Sequence, residues 1–354
     1  MPFKFSASSI EDALYEDGWF AKGAHFIVDG QYGSTGKGAL AAVIARAGRR
    51  DIEIYATNAG PNSGHTAVLG AAKIVTTQLP VGAAVAKLLP GPQFDVYLTA
   101  GAIIYPKMLQ KEVEEFGVVP TIHPCAAIIE AHHVEQEQSN GSSKVAGTAK
   151  GVGAALADKV NREGNLWGRQ DVWYGYSGVL DLANRCVLHE SAQGFSLGVN
   201  EALFAPHTTS RECTVQQALS DARIPLSQVH KVAMTLRTAP IRVGNTQVGY
   251  SGDFYDDQKE TSWEELGLQE EYTTVTKRVR RVFTWSWSQF VDALRVNEPD
   301  LLNINFMDYL KKEEQEPFVR AVIAKYQSIL PHKGMPTVLC GFGPDIEHMG
   351  VWVD

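Results

Sequence analysis

Apolar residues in this chain come in short runs, each closed by turn-forming residues. The runs are "HFIVDG" (25–30), "IEIYAT" (52–57), "DVYLTAG" (95–101), "RCVLHES" (185–191), "KVAMTLR" (231–237), "LLNINFM" (301–307) and "TVLCGFG" (337–343). None alternates cleanly between apolar and polar positions. That pattern predicts strands buried on both faces, as in a parallel sheet. Helical stretches fall between them. "GKGALAAVIARAG" (36–48) ends at a glycine, and "PKMLQKEVEEFG" (106–117) has proline at its start and glycine just past its end. Strands alternating with helices predict an α/β fold with a large, mainly parallel central sheet flanked by helices. The spread of strands predicts one α/β domain with inserted loops over residues 23–354, preceded by an N-terminal extension, 1–22. "SNGSSKVAGTAKGVG" (139–153) is rich in Gly and Ser and predicts a mobile loop, with a Lys and a Thr suited to ordering around an anion.

Composition narrows the classes. Of 354 residues, 44% are hydrophobic and 20% charged, enough for a sizeable core. A formal net charge of −8 argues against a general nucleic-acid or membrane-surface binder. Small anionic ligands stay open, since a few local charges and backbone N–H groups hold those. The four cysteines form no CxxC pair and read as thiols in a reducing compartment. No run approaches the roughly 20 apolar residues of a membrane helix, and the first twenty residues lack a signal-peptide core. The expectation is a soluble cytoplasmic protein, in the host cytoplasm if the chain is viral.

"QYGSTGKGAL" (31–40) follows the first apolar run directly. Strand, glycine-rich turn and helix together aim backbone N–H groups and a helix N-terminus at phosphate. Lys37 stands at the helix start. A Walker A loop would carry glycine at position 31 and Ser or Thr at 38, whereas this chain has Gln31 and Gly38. "NAGPNSGHT" (58–66) follows the next strand and places an imidazole, His65, on a polar turn at a strand end, where open α/β sheets bind ligands. Histidine can donate a proton to oxygen near neutral pH. "TKRVRR" (276–281) sets four cations, Lys277, Arg278, Arg280 and Arg281, in five positions of an acidic protein, which suits an anion site. "HH" at 132–133 reads as surface, in a polar helix.

Together these motifs resemble adenylosuccinate synthetase, whose loops read Q-W-G-D-E-G-K-G-K and N-A-G-H-T. "GTAKGVGAALADKVNRE" (147–163), "ESAQG" (190–194), "PHTTSRECT" (206–214), "RVG" (242–244), "TKRVRR" and "GFGPD" (341–345) resemble further family segments in the same order, over about residues 25 to 345. The resemblance implies a P-loop-like, adenylosuccinate synthetase-like fold and a carbon–nitrogen ligase that uses Mg²⁺. Such an enzyme phosphorylates O6 of a purine nucleotide and then lets the aspartate amine displace phosphate. It implies catalytic roles for Ser34, Lys37, His65 and Gln193. The triphosphate would meet Gly33, Thr35, Gly36, Lys37, Gly38, Gly64, His65, Thr66, Asn305, Gly341, Gly343 and Pro344. The purine monophosphate would meet Ser34, Asn62, Thr148, Gln193, Thr209 and Val243. Arg162 would reach its 5′-phosphate from the partner subunit of a homodimer. Thr276, Arg278 and Arg280 would hold L-aspartate, paired guanidinium groups being suited to carboxylates. Ser34 and the Gly64 carbonyl occupy the positions of the metal ligands.

Three departures from the family refine this. Ser34 replaces the aspartate that takes the N1 proton and ligates Mg²⁺, and a serine hydroxyl has no accessible pKa for that task. Serine leaves room for a 2-amino group, and the viral branch of the family, which acts on dGMP, carries this kind of change. The resemblance therefore implies dGMP, with Asp29 a candidate base if the fold brings it close. The family's guanine-reading T-K-L-D is replaced by "LNINFMD" (302–308), which predicts ATP, or dATP, with Asn305 as a candidate adenine contact. Third, the chain is short, as in archaeal and viral forms, with Ser191 for a glycine and Lys150 for an arginine. An ordinary IMP-using synthetase and an inactive nucleotide-binding homologue stay open as alternatives.

Overall fold

The structure is a computed structural model that describes residues 8–139, 145–169, 174–201, 203–247, 249–273 and 277–353. The strands in chain order are β1 (Gly23–Asp29), β2 (Ile54–Thr57), β3 (His65–Leu69), β4 (Ala72–Thr76), β5 (Asp95–Leu98), β6 (Ile103–Ile104), β7 (Thr121–Ile122), β8 (Ala127–Ile128) and β9 (Tyr176–Ser177). They continue with β10 (Cys186–Glu190), β11 (Val229–Arg237), β12 (Ile241–Arg242), β13 (Glu260–Thr261), β14 (Arg281–Phe283), β15 (Leu301–Asn305), β16 (Thr337–Gly341) and β17 (Met349–Val351). Ten of them form one sheet in the order β17-β16-β15-β11-β1-β10-β2-β5-β7-β9. Every pairing in it is parallel except β16 with β17. All seven predicted strands are present in this sheet.

Why these runs become central strands is visible in their burial. β2, β10 and β15 are buried at every position. Such a strand has no solvent face, so its sequence cannot alternate. Helices cover both faces. On one lie α1 (Ser8–Glu16), α2 (Lys37–Ala47), α3 (Val81–Leu88) and α4 (Pro106–Phe116), with Leu14, Leu40, Val85 and Leu109 in the core. On the other lie α7 (Val215–Ala222), α8 (Trp287–Asn297) and α9 (Lys312–Ile329), with Leu219, Phe290 and Val322. Each such side chain contributes about 1.5–3 kcal/mol on burial. The intervening α5 (Ala131–Ser139) and α6 (Val152–Asn161) pack on each other beside the sheet. α2 and α4 have the predicted limits, and Gly117 closes α4 at φ 63.

Within the expected extension, Ile10, Leu14 and Trp19 are buried. Two other expectations change. The stretch 139–153 is partly helical, since α5 runs to Ser139 and α6 starts at Val152; residues 140–144 lie outside the described residues. His133 is buried rather than on the surface. Its Nδ1 accepts from the Glu130 N–H at 2.9 Å and its Nε2 lies 2.9 Å from Asp158. Those two bonds fix the tautomer and leave no lone pair for a metal, although Glu130, His132 and His133 cluster.

Candidate active site

Four neighbouring parallel strands, β15, β11, β1 and β10, end in polar residues: Asn305, Arg237, Asp29 and Glu190. The carboxyl ends of parallel strands are where open α/β sheets bind ligands. Each of the four buries its side chain and organises one wall of a cleft.

Asp29 builds the phosphate loop. Its Oδ1 accepts the N–H groups of Gln31 (2.9 Å) and Gly33 (3.1 Å). Its Oδ2 takes the Thr35 hydroxyl and pairs with Lys37 Nζ at 3.1 Å. Asp29 therefore lies beneath the loop with both oxygens engaged, and it does not line the cleft. That placement removes it as the base facing a purine. Lys37 Nζ also donates to the Gln193 carbonyl at 2.6 Å, which holds the ammonium at the cleft wall.

The two departures from Walker A have tertiary causes. Gln31 docks on the backbone of Arg237, donating to its carbonyl at 3.1 Å and accepting from its N–H at 3.0 Å. At Gly38 an added Cβ would stand 2.5 Å from the Thr66 carbonyl oxygen and 2.7 Å from the Thr66 nitrogen. β3 passes too close for any side chain there. Gln31→Ala should orphan two buried backbone groups and lower stability by about 2–3 kcal/mol, readable as a shift of the urea midpoint at constant slope.

His65 is the first residue of β3, in a two-stranded hairpin with β4, and not in a loop. Its Nδ1 lies 3.2 Å from Glu190 Oε2. Glu190 also accepts from the N–H groups of Val81 (3.0 Å) and Gly82 (2.7 Å) at the start of α3. A carboxylate accepts, so His65 Nδ1 carries the hydrogen and Nε2 is left for a ligand. Glu190 sits in the quoted "ESAQG" yet was not singled out by sequence. Its place at the end of a wholly buried strand was the available signal.

The cleft brings together Gly33, Ser34, Lys37, Asn62, Gly64, His65, Thr148, Gln193, Thr209, Val243 and Arg280 from the expected set. Asn62 Oδ1 is buried and has no hydrogen-bond partner among the described residues. Ser34 has φ 56 and Gln193 φ 65, backbone conformations common at functional turns. Arg242, not expected from sequence, also lines the cleft, and burial lowers its pKa to about 10.

Other expected residues fall elsewhere. Thr35, Gly36, Gly38, Thr66, Asn305, Gly341, Gly343 and Pro344 are outside the lining of this cleft. Asn305 donates its amide to the Thr35 carbonyl at 2.6 Å and packs against Gly36 and Gly341, so it braces the phosphate loop. Arg162 is exposed at the end of α6, away from the cleft. Arg278 lines a neighbouring cleft and donates to the carbonyls of Gly244 (3.1 Å) and Ala146 (2.9 Å). Arg281 forms a bidentate pair with Glu260 at 2.7 and 2.6 Å and belongs to the β14 framework. Thr276 lies outside the described residues.

The residues at the metal positions can be tested against Mg²⁺. No carboxylate is found among the described residues lining the cleft, only neutral oxygens such as the Ser34 hydroxyl and Gly64. Mg²⁺ keeps several waters and is commonly held by substrate phosphates with few protein ligands. The donor set fits an ion that enters with a triphosphate.

A phosphate loop braced by the strand-end aspartate, a carboxylate-held imidazole and an arginine at the rim define a nucleotide-dependent ligase site. The profile of the adenylosuccinate synthetase family matches residues 26–173 and 170–321, and the chain belongs to that family. The N6-succino-2-amino-2′-deoxyadenylate synthase of Salmonella phage PMBT28 is 35% identical, covering 92% of this chain and 96% of its own. The synthase of the same name from Vibrio phage phiVC8 is 34% identical over 92% of this chain and 98% of its own. A solved structure of cyanophage S-2L succinoaminodeoxyadenylate synthetase, bound to dGMP and dATP as an energy donor, superposes with TM-score 0.82 at 29% identity, covering 94% of this chain and 96% of that one.

Proposed function

We propose that this enzyme joins L-aspartate to C6 of dGMP at the expense of ATP, forming 2-amino-2′-deoxyadenylosuccinate for diaminopurine DNA. The observation that carries the proposal is the pairing of a neutral Ser34 with an otherwise complete phosphoryl-transfer wall of Lys37, His65 and Gln193. The phage relatives named above support it.

A carbonyl oxygen is a poor leaving group, so C6 must be activated before an amine can displace it. Lys37 and the loop N–H groups hold the transferring phosphoryl group between the triphosphate and O6. With Glu190 accepting its Nδ1 hydrogen, His65 stabilises charge on the bridging oxygen when Nε2 also carries a hydrogen to donate. Asn62, Thr148 and Thr209 hold the monophosphate, and the unpartnered Asn62 Oδ1 suits a ligand donor. Arg162 completes that subsite from the partner subunit of a homodimer, in line with its exposure off the cleft. Arg280, with Arg278 beside it, takes the aspartate carboxylates. The Gly64 carbonyl and Ser34 would hold Mg²⁺ together with the phosphates, where it would supply positive charge to offset theirs. Ser34 leaves space beside purine C2 where a carboxylate would crowd and repel.

Phosphate release with L-aspartate, Mg²⁺ and ATP, run in parallel on dGMP, GMP and IMP, tests the reading. Turnover on dGMP is expected. Turnover on IMP alone would make this an ordinary adenylosuccinate synthetase, and turnover on none an inactive homologue. Equal rates with GTP and ATP would refute the choice of triphosphate.

A further inference from the structure

Ser34 does more than leave space. Its hydroxyl accepts from Arg280 Nη1 at 2.7 Å, and its carbonyl from Arg237 Nη1 at 3.3 Å. Both guanidinium groups share one carboxylate, Glu271. Arg237 makes a close two-point pair with it, and Arg280 Nε lies 3.9 Å away. Tyr309 donates to the same carboxylate at 2.7 Å, and Arg237 stacks on Phe306 with its guanidinium carbon 3.9 Å from the ring centre. Burial acts to raise the Glu271 pKa, but Arg237, Tyr309 and Arg280 outweigh it and the net direction is down. Glu271 therefore stays a fixed anion between two cations.

From this geometry we infer that Ser34 is a positioning residue for L-aspartate: its hydroxyl sets the Arg280 guanidinium for the substrate carboxylate. The inference rests on the ligase reading above and adds a second task to the residue beside the purine. A carboxylate at position 34 would set a full negative charge beside Arg280, where the hydroxyl sets none. A hydroxyl is a neutral acceptor, so it orients the guanidinium and leaves its charge available. One residue thus faces both the purine and the amino-acid subsite.

The test varies aspartate at saturating ATP and purine monophosphate. Ser34→Gly suits a left-handed backbone and removes the hydroxyl together with its methylene. It should raise KM for aspartate roughly three- to tenfold, the loss of one partly exposed hydrogen bond to a charged group. The rise in KM for aspartate should exceed any change in the calorimetric Kd of dGMP measured without aspartate, because the lost bond belongs to the aspartate subsite. Ser34→Asn, which tolerates the same backbone and restores an acceptor, should recover part of the loss. In a double-mutant cycle, Arg280→Lys should cost less in the Ser34→Gly background than alone. A KM for aspartate unchanged in Ser34→Gly, or additive effects in the cycle, overturns the inference. If IMP rather than dGMP is turned over, the dGMP reading fails while the aspartate KM on IMP still decides this one. If nothing is turned over, the calorimetric Kd of aspartate on the dGMP complex replaces KM, and absence of aspartate binding overturns the inference as well.

Discussion

Lys37→Met should abolish phosphoryl transfer, lowering kcat by about a hundred- to a thousandfold, the scale of losing one preorganised donor at a developing charge. It should also destabilise the fold, because Lys37 neutralises Asp29 in a place where both side chains are almost wholly buried. Breaking a buried pair by removing one partner costs about 3–5 kcal/mol, chiefly through the uncompensated charge left behind. The two effects can be separated. In Asp29→Asn/Lys37→Met, an amide oxygen can still accept from the Gln31 and Gly33 N–H groups, and no buried charge is orphaned. The double variant should regain most of the melting temperature and none of the activity. Calorimetric unfolding alongside phosphate release checks both parts. Recovery of turnover in the double variant would show that Lys37 serves the fold alone.

His65→Asn should lower kcat by about 10²–10⁴-fold, the usual weight of a positioned general acid, and leave dGMP affinity nearly unchanged. Glu190→Gln should give a smaller loss of about tenfold, within the range for a partner that orients another group. With the glutamine oxygen kept on the Gly82 N–H, its NH2 takes the place of Oε2 and meets both the Val81 N–H and His65 Nδ1. A donor there opposes the Nδ1 hydrogen, and with it the doubly protonated ring that donates from Nε2. Rapid-quench measurement of the first turnover reads this at the phosphoryl step. Equal rates for Glu190→Gln and the parent would show that the 3.2 Å contact does not set the imidazole.

How much of this was legible follows from the range of the interactions. The seven main strands and the limits of α2 and α4 are local patterns of burial and capping, and they read correctly. The phosphate loop read as a phosphate loop, but its oddities did not explain themselves. Gln31 is there for Arg237, 206 positions away, and Gly38 for the passage of β3. No periodicity records such approaches. Likewise "TKRVRR" gives four cations without saying which face inward. Arg280 reaches Ser34, while Arg281, one residue on, is spent on Glu260. His133 looked exposed by its polar neighbours because its partner Asp158 lies on another helix. Glu190 and Glu271 escaped notice for the same reason, since a lone glutamate acquires meaning only from what the fold sets beside it.

The position of β1 has a consequence for biosynthesis. The strand that carries the phosphate loop is early in the chain, yet its two sheet neighbours are β10 and β11, which begin at Cys186 and Val229. Until the ribosome has made those later segments, β1 has no native partner on either edge, and Gln31 has no Arg237 backbone to grip. Such distant pairing is slow and leaves apolar strands uncovered meanwhile. The nucleotide loop therefore stays without its native sheet partners until the segments that begin at Cys186 and Val229 have been made.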